Sequence, residues 1–381
     1  MTRRGNPLGL SGERFSVVFH LVGSQSQVRD KAFDICVEQT VEFPAQLIED
    51  EAIRQHILGR VESCRQLQDN LWEVVISYAI ETTAFEITQL LNVLFGNISL
   101  KPGIRVMHLE LPERVLSAFK GPRFGIQGWR EQLKIPRRPL LCSVLKPMGL
   151  SNQALAEMAY QYALGGIDLI KDDHGLTNQP FCPFQDRVER IMEAVGRANQ
   201  ESGNASVYLP NITASLDVMV QRAHFAKQAG AGGILISPGV TGFDAMRLLA
   251  GDEEFQLPIL AHPAFLGSFV TSRENGISHG AVFGQITRLA GADATIFPTW
   301  AGRFGFTKEE CISIVKAATE PMGCLRPIFP APGGGMTIEL VPELLELYGR
   351  DVIYLMGGGL HSRSPILVDN CRYFRELVER I

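Results

Sequence analysis

The chain of 381 residues is longer than one average domain, since domains contain about 100–200 residues and α/β barrels about 250, so two domains are expected. A composition of 45% hydrophobic and 20% charged residues is that of an ordinary folded protein and excludes a disordered chain. The net charge of −5 gives no general attraction for nucleic acid or an anionic membrane, so we expect neither as a partner.

The cysteines and the N-terminus indicate the compartment. The seven cysteines form no C-x-x-C pair and are odd in number, which fits reduced thiols better than disulfides or a zinc site. The first ten residues contain two arginines but no apolar segment typical of a signal peptide. No stretch reaches the about 18 apolar residues of a membrane span. We therefore expect a cytoplasmic protein that is neither exported nor membrane-spanning.

The first third of the chain predicts elements in the order β-α-β-β-α-β. The elements are a strand at 15–22, a helix at 28–41, strands at 59–66 and 71–79, a helix at 83–94 and a strand at 104–111. This order is typical of a ferredoxin-like α+β domain, an open sheet with helices on one face. A helical connector at 112–134 leads to Pro136 and Pro139, which mark a boundary. We assign 1–135 to this N-terminal domain with its connector.

After Pro139, short β-rich runs alternate eight times with amphipathic helical segments. The runs lie at 140–146, 168–173, 206–212, 232–238, 258–264, 294–299, 326–332 and 352–358. This alternation predicts a (β/α)8 TIM barrel, the catalytic domain, over 136–381. Because barrel active sites lie at the C-terminal ends of the strands, functional residues are expected there.

Two lysines follow the first two barrel strands. The first strand ends on Lys146 and the second on Lys171, Asp172, Asp173 and His174. Side-chain alternation predicts that Lys171 and Asp173 point into the barrel and that Asp172 points away. A desolvated lysine, or one beside other cations, has a lowered pKa and can act as a base or carry a carbamate. An isolated K-D-D run would more often form a salt-bridged rim, but a second lysine one strand away favours function.

Further polar residues stand at other strand ends. Asn211 follows the third strand and His262 the fifth, and each is either a satisfied core residue or a substrate contact. Arg303 lies in the loop after the sixth strand, PTWAGRFGF, and is either a solvated arginine or a residue that closes over a substrate anion.

Glycines follow the last two strands. The seventh is followed by Gly333, Gly334 and Gly335, and the eighth by Gly357, Gly358 and Gly359. Barrels frequently bind phosphate at these two loops, and glycines let backbone N–H groups approach it. One triplet would be a weak signal, but two on neighbouring strands predict a phosphate site.

Four motifs in the correct order resemble the RuBisCO large-subunit superfamily. GGIDLIKDDHGLTNQPFCPFQDRV (165–188) resembles its second-strand signature, and LLCSVLKPMGLS (140–151) resembles its first-strand lysine motif. VLFGNISLKPGI (93–104) is similar to the N-domain segment that carries an active-site asparagine, and the two glycine loops are similar to the family's phosphate cradle. The similarity extends over nearly the whole chain.

The resemblance implies roles residue by residue. Lys146 matches the lysine that moves protons on the enediolate. Lys171 matches the lysine that is carbamylated to bind Mg2+, with Asp173 as a metal ligand and His174 beside it. The implied phosphate ligands are Gly334, Gly335, Gly358 and Gly359, to which the second triplet adds Gly357. His262 matches a strand-five histidine and Arg303 falls at the loop-six lysine. Asn97 matches a residue that reaches the site from the partner subunit, which implies a homodimer with shared active sites.

Several departures from the family pattern identify the kind of member. His174 replaces a glutamate, the first-strand motif is shortened to KPMGL, and Pro263 replaces an arginine. Phe297 and Pro298 replace a His-Ser pair, and Gly333 replaces a serine. These changes exclude a true carboxylase, and the chain is identified as a form IV RuBisCO-like protein. An imidazole at 174 also softens a Mg2+ site towards Mn2+ or another divalent ion, unless His174 acts as an acid or base.

The resemblance implies enolate chemistry on a singly phosphorylated sugar or sugar acid, without carbon dioxide fixation. The leading hypothesis is decarboxylation of 3-oxo-isoapionate 4-phosphate. The alternatives are isomerisation of 5-methylthioribulose 1-phosphate and enolisation of a diketo-methylthiopentyl phosphate. His174 argues mildly against the enolisation only, because the enolase members resemble the K-D-D-E pattern more closely. A non-catalytic regulator is the alternative of another class, but it would not need Lys146, Lys171, Asp173 and both glycine loops.

Overall fold

A five-stranded sheet forms the centre of the first of two units in the computed structural model, which describes residues 8–380. The strand Arg14–Val22 pairs antiparallel with Ile104–Glu110 on one side and with Leu71–Ala79 on the other. Arg60–Gln68 forms one edge, and the short strand Gly276–Ile277 pairs parallel with Ile104–Glu110 at the other. The four N-terminal strands thus have the predicted ferredoxin-like order. Among the described residues, this unit comprises 8–119, Leu266–Ile286 and Met322–Cys324.

Local sequence explains where the helices of the first unit begin. Ser24 and Gln27 form a reciprocal capping box, which starts the first helix three residues before its predicted start. The second predicted helix starts late, at Ile87, because Ala84 and Phe85 have positive φ and cannot continue a helix. The helices and helical turns are Gln25–Glu38, Ala45–Leu47, Glu51–His56, Ile80–Thr83, Ile87–Phe95, Asn97–Leu100, Glu113–Leu116, Gly267–Val270 and Gly280–Ile286.

The second unit is the eight-stranded parallel barrel. All eight predicted strands form: Leu140–Leu145, Leu169–Asp172, Val207–Leu209, Ile234–Ile236, Ile259–Ala261, Ala294–Pro298, Phe329–Gly333 and Ile353–Leu355. They are numbered one to eight below. Strand eight pairs with strand one, and a bridge between Asn211 and Leu235 joins the third and fourth strands.

The helices of the second unit follow the strands along the chain. They are Gly125–Leu133, Asn152–Leu164, Phe184–Ser202, Leu216–Gln228, Pro238–Thr241, Phe243–Gly251, Thr287–Leu289, Lys308–Thr319, Ile338–Leu340, Val341–Tyr348, Gly358–His361 and Leu367–Glu379. The connector predicted as one helix at 112–134 is instead two short helices, because Gly121 and Gly125 with positive φ interrupt it.

Aliphatic side chains fill the barrel interior, as in other barrels of this type. One buried cluster includes Leu140, Leu169, Leu209, Leu235 and Leu260, with Trp129 and Leu133 of the preceding helix packed against them. A filled interior leaves only the two ends of the barrel for binding. All seven cysteines are free thiols. No helix within residues 8–380 is both long enough and apolar enough to cross a membrane.

Candidate active site at the C-terminal ends of the barrel strands

Asp172 is a buried structural carboxylate. It accepts hydrogen bonds from the Tyr208 hydroxyl (2.7 Å), Arg187 Nε (3.2 Å) and the Asn211 backbone N–H (2.9 Å), and both Asp172 and Arg187 are fully buried. A buried carboxylate is tolerated when it is paired and hydrogen-bonded in this way. Alternation had predicted that Asp172 points away from Lys171 and Asp173, and these partners are consistent with that prediction.

Lys171, Asp173 and Lys146 lie close together at the ends of the first two strands. Lys171 is 3% exposed, and its Nζ donates to the Asp172 carbonyl oxygen at 3.0 Å. Burial lowers the pKa of Lys171, since the charged amine is poorly solvated there. Lys146 Nζ is 3.8 Å from Asp173 Oδ2, while Asp173 Oδ1 accepts the Gly175 N–H at 2.9 Å. One carboxylate therefore lies beside two lysines, and burial favours the neutral form of one of them, Lys171.

His174 stacks on His262. Their ring centroids are 4.3 Å apart and their planes differ by 9°. Burial lowers the pKa of both histidines, that of His262 well below its ordinary value, and the positive charges of Lys171 and Lys146 lower both further. The Ala264 N–H donates to His262 Nδ1 at 3.1 Å, so a neutral His262 carries its proton on Nε2. Two neutral imidazoles thus flank the lysines, and this arrangement could not be predicted from the sequence.

Asn211 holds the second-strand loop. Its Nδ2 donates to the carbonyl oxygens of His174 (2.8 Å) and Leu176 (2.9 Å), and its Oδ1 accepts the Thr213 N–H at 3.1 Å. Its side chain is fully buried. The sequence left two interpretations of Asn211, a satisfied core residue and a substrate contact, and these bonds support the first. Asn211 positions the backbone of His174.

The sixth and seventh loops contact each other closely. The Arg303 N–H donates to the Gly334 carbonyl oxygen at 3.0 Å, and a Cβ at Gly335 would lie 3.0 Å from Arg303 N. Gly334 and Gly335 have φ of 79° and 117°, values that favour glycine. The Arg303 guanidinium is exposed and lies 4.9 Å from the Phe304 ring centroid. Its charge contributes to the lowered pKa of His174, so Arg303 is near the lysine cluster.

The eighth loop packs on the first strand. A Cβ at Gly357 would lie 2.9 Å from Val144 Cγ1 and 3.1 Å from Lys146 Cε, and one at Gly359 would lie 2.4 Å from the Met336 carbonyl oxygen. A Cβ at Gly359 would thus collide with the backbone of the seventh loop, whereas one at Gly357 would force the side chains of Val144 and Lys146 to shift. The short helix Gly358–His361 begins here, and the first N–H groups of a helix have no intrahelical partner.

One further residue near this site, His361, was not predicted from the sequence. His361 Nε2 is 2.6 Å from the Tyr162 hydroxyl, and the charge of Lys146 contributes to its lowered pKa. The only available signal was a histidine shortly after the second glycine triplet.

Asn97 belongs to the first unit, where carboxylates hold its side chain. Its Nδ2 donates to Glu38 Oε1 at 3.0 Å and Glu42 Oε1 at 3.2 Å, and Lys101 binds Glu38 at 3.2 Å. Glu42 has a positive φ of 47°. The amide is thus presented on a charged surface of its own unit.

The metal-binding residues predicted from the sequence lie at the end of one strand. Lys171, Asp173 and His174 supply an amine, a carboxylate and an imidazole, but an amine is a poor ligand for Mg2+, which prefers oxygen. Within residues 8–380, no group of three or more His, Cys, Asp or Glu side chains is placed to hold a metal ion. The donor set therefore fits a divalent ion only if Lys171 carries a carbamate, which would supply the missing oxygen.

Comparison with known proteins assigns the family. Residues 125–365 match the family described as ribulose bisphosphate carboxylase large chain, catalytic domain. The chain is 38% identical to ribulose bisphosphate carboxylase-like protein 1 of Rhodopseudomonas palustris, over 95% of this chain and 96% of that protein. It is 36% identical to 5-methylthioribulose-1-phosphate isomerase of Rhodospirillum rubrum, over 95% of each chain.

A relative at lower identity and a solved structure agree with this assignment. The 2,3-diketo-5-methylthiopentyl-1-phosphate enolase of Geobacillus kaustophilus is 31% identical, over 95% of this chain and 91% of the enolase. The crystal structure of a RuBisCO-like protein from Rhodopseudomonas palustris superposes with a TM-score of 0.87 at 37% identity, covering 96% of this chain and 97% of that one. Together with the barrel and its lysine cluster, these matches show that the chain belongs to the RuBisCO large-chain family, among its RuBisCO-like proteins.

Proposed function

We propose that this protein catalyses enolate chemistry on a singly phosphorylated sugar or sugar acid and does not fix carbon dioxide. The observation that carries the proposal is the buried, pKa-lowered Lys171 beside Asp173 and Lys146. A lowered pKa favours the neutral amine of Lys171, which can act as a base or react with carbon dioxide to form a carbamate, and Lys146 can then move a proton at a carbon next to a carbonyl.

The residues of the chain have distinct parts in this scheme. Lys146 moves the proton. Its side chain packs against Gly357, which restricts where its Nζ can lie. His262, neutral and protonated on Nε2, can donate to the developing enolate oxygen. With a carbamate on Lys171, the residues Lys171, Asp173 and His174 would hold Mg2+ or another divalent ion. That ion would supply Lewis-acid stabilisation of the enolate.

One phosphate fits the site better than two. The glycines of the seventh and eighth loops offer backbone donors, consistent with the usual phosphate position in barrels. The positions that would anchor a second phosphate have no charge: Pro263 lacks a donor, Phe297 is fully buried against Tyr348, and Gly333 packs against Leu355. A phosphate without partners there would be costly to desolvate. Ribulose bisphosphate should therefore bind poorly and yield no phosphoglycerate.

Isomerisation of 5-methylthioribulose 1-phosphate is the specific reaction with most support, because a relative of that name is 36% identical over 95% of the chain. The diketo-methylthiopentyl phosphate enolase reaction has the support of a relative at 31% identity. Decarboxylation of 3-oxo-isoapionate 4-phosphate stays a prediction. It is favoured by Arg303, an exposed cation near His174 that could hold a substrate carboxylate.

Deuterium exchange tests the shared step independently of the final product. The protein is incubated in D2O with 5-methylthioribulose 1-phosphate or 3-oxo-isoapionate 4-phosphate, and the carbon next to the carbonyl is followed by NMR. We expect exchange or turnover with at least one substrate, and its loss in Lys146→Met. A non-catalytic regulator would bind a sugar phosphate without exchanging any proton, and that result would contradict the proposal.

We further propose that the active unit is a homodimer with shared sites, since Asn97 lies in the first unit and Lys146 in the barrel. Asn97→Ala and Lys146→Ala proteins, each nearly inactive, should regain about a quarter of wild-type activity when unfolded and reassembled together. Random pairing makes half of the dimers hybrid, and each hybrid has one of two sites intact. A fully active monomer in analytical ultracentrifugation would refute the shared site.

A further inference from the structure

His361 and Tyr162 form a hydrogen-bonded pair beside the eighth loop. His361 ends the short helix Gly358–His361, and its Nε2 lies 2.6 Å from the Tyr162 hydroxyl. The rings meet edge to face, with centroids 5.8 Å apart and planes at 84°. Tyr162 is fully buried in the helix Asn152–Leu164, so its hydroxyl is a fixed point for the imidazole.

The same hydroxyl joins the pair to the strand that carries Lys146. The Tyr162 oxygen lies 3.3 Å from the carbonyl oxygen of Val144, two residues before Lys146. The Val144 side chain in turn packs where a Cβ at Gly357 would lie. Tyr162 and Val144 therefore connect His361 to Gly357 and to the strand that carries Lys146.

The distances indicate the tautomer of His361. A tyrosine hydroxyl has one proton, and His361 Nε2 at 2.6 Å is a much closer acceptor than the Val144 carbonyl at 3.3 Å. Burial and the charge of Lys146 lower the pKa of His361, so the ring is neutral near pH 7. With Nε2 accepting from Tyr162, the ring proton is on Nδ1, and His361 is an exposed residue.

We propose that His361 is a further phosphate-binding residue, which donates a hydrogen bond from Nδ1 to the substrate phosphate at the eighth loop, and that Tyr162 sets the tautomer for this donation. The proposal rests on the proposed function, because it needs the phosphate at the glycine loops. A neutral donor suits this position, because a second cation so close to Lys146 would be repelled by it.

Binding of inorganic phosphate, measured by isothermal titration calorimetry, separates the outcomes. Asparagine places its amide nitrogen where Nδ1 lies, whereas glutamine places it nearer Nε2. We expect His361→Asn to keep phosphate affinity within about threefold, and His361→Gln and His361→Ala to lose about tenfold, the effect of one hydrogen bond to a charged group. Arg363→Gln is the control for charge on the same loop, since Arg363 lies over the Tyr373 ring at 3.6 Å. It should bind phosphate nearly as wild type does.

Nitrogen chemical shifts of His361 test the tautomer directly. The wild-type protein should show protonated Nδ1, and Tyr162→Phe, which removes only the hydroxyl, should show mixed tautomers with severalfold weaker phosphate binding. Equal phosphate affinity in wild type and His361→Ala, or a wild-type ring protonated on Nε2, would overturn the role of His361 while leaving the glycine loops in place. Absence of phosphate binding by the wild-type protein would instead overturn the phosphate site of the proposed function, and this inference with it.

Discussion

At the N-terminal ends of the barrel strands, Arg138 and Asp168 form two hydrogen bonds of 2.6 and 2.7 Å, and Asp168 also accepts the Leu141 N–H at 2.8 Å. At the C-terminal ends, Lys146 Nζ is 3.8 Å from Asp173, and the buried Lys171 donates only to a backbone carbonyl among the bonds described for residues 8–380. The N-terminal end of the barrel, the lower end, thus pairs its charges closely. At the C-terminal end, the upper end, opposite charges are farther apart.

This difference indicates that the charges at the lower end contribute to stability, whereas those at the upper end serve proton transfer. A buried pair with every lone pair satisfied holds its charges in fixed states, and removing one partner leaves an uncompensated charge. A buried lysine without a close carboxylate has a lowered pKa and can exchange protons. Substitutions at the two ends should therefore change different observables.

The largest effect is expected for Lys171→Met at the upper end. Loss of the amine should lower kcat about 10²–10⁴-fold, the usual contribution of a positioned acid or base. The free energy of unfolding should stay the same or rise, because the apolar chain of methionine suits a buried position better than an amine. Enzyme assays and urea unfolding measure both. Lys120→Ala, at an exposed pair with Glu253, is the activity control and should be neutral.

A carbamate on Lys171 adds a condition to this prediction. Wild-type activity should fall when bicarbonate and divalent ions are removed and should return when both are restored. Full activity in metal-free, bicarbonate-free buffer would exclude the carbamate while leaving a role for the neutral amine.

At the lower end, Asp168→Ala should have the opposite signature. It leaves the Arg138 guanidinium buried without its partner and should cost about 3–5 kcal/mol of unfolding free energy. The kcat of the folded fraction should be unchanged at low temperature. Glu379→Ala is the matched control, since Glu379 lies 3.7 Å from the same arginine but is largely exposed, and it should cost less than about 1 kcal/mol. Equal losses in the two variants would mean that burial does not set the strength of this pair.

The sequence was sufficient for features that depend on local pattern. The ferredoxin-like strand order followed from the β-α-β-β-α-β alternation, and the eight barrel strands followed from their spacing. The different partners of Asp172 and Asp173 are consistent with the strand alternation read from the sequence. Each of these is fixed by residues that are near one another along the chain.

Features that depend on distant contacts could not be predicted in this way. His361 and Tyr162 are 199 positions apart, and no periodicity relates them. The stack of His174 on His262 joins the second and fifth loops, and the hydrogen bonds of Asn211 are made to carbonyl groups whose positions the sequence does not specify. Likewise, residues 266–286 fall within the barrel region of the sequence, yet they pack with the first unit.

The smallest predicted effect concerns pH and the upper end. In the unfolded chain His262 takes up its proton near the ordinary pKa of 6.5, but in the fold burial and the charge of Lys171 hold its pKa well below that value. Below about pH 6.5 the unfolded chain therefore binds more protons than the folded one, so the free energy of unfolding falls as the pH falls. Urea unfolding of metal-free protein between pH 7.5 and pH 5 should show this loss, and His262→Gln should make it smaller. His108→Gln, at an exposed position, is the control and should keep the wild-type slope. An unchanged slope in His262→Gln would show that the loosely matched charges of the upper end do not determine the acid sensitivity of the barrel.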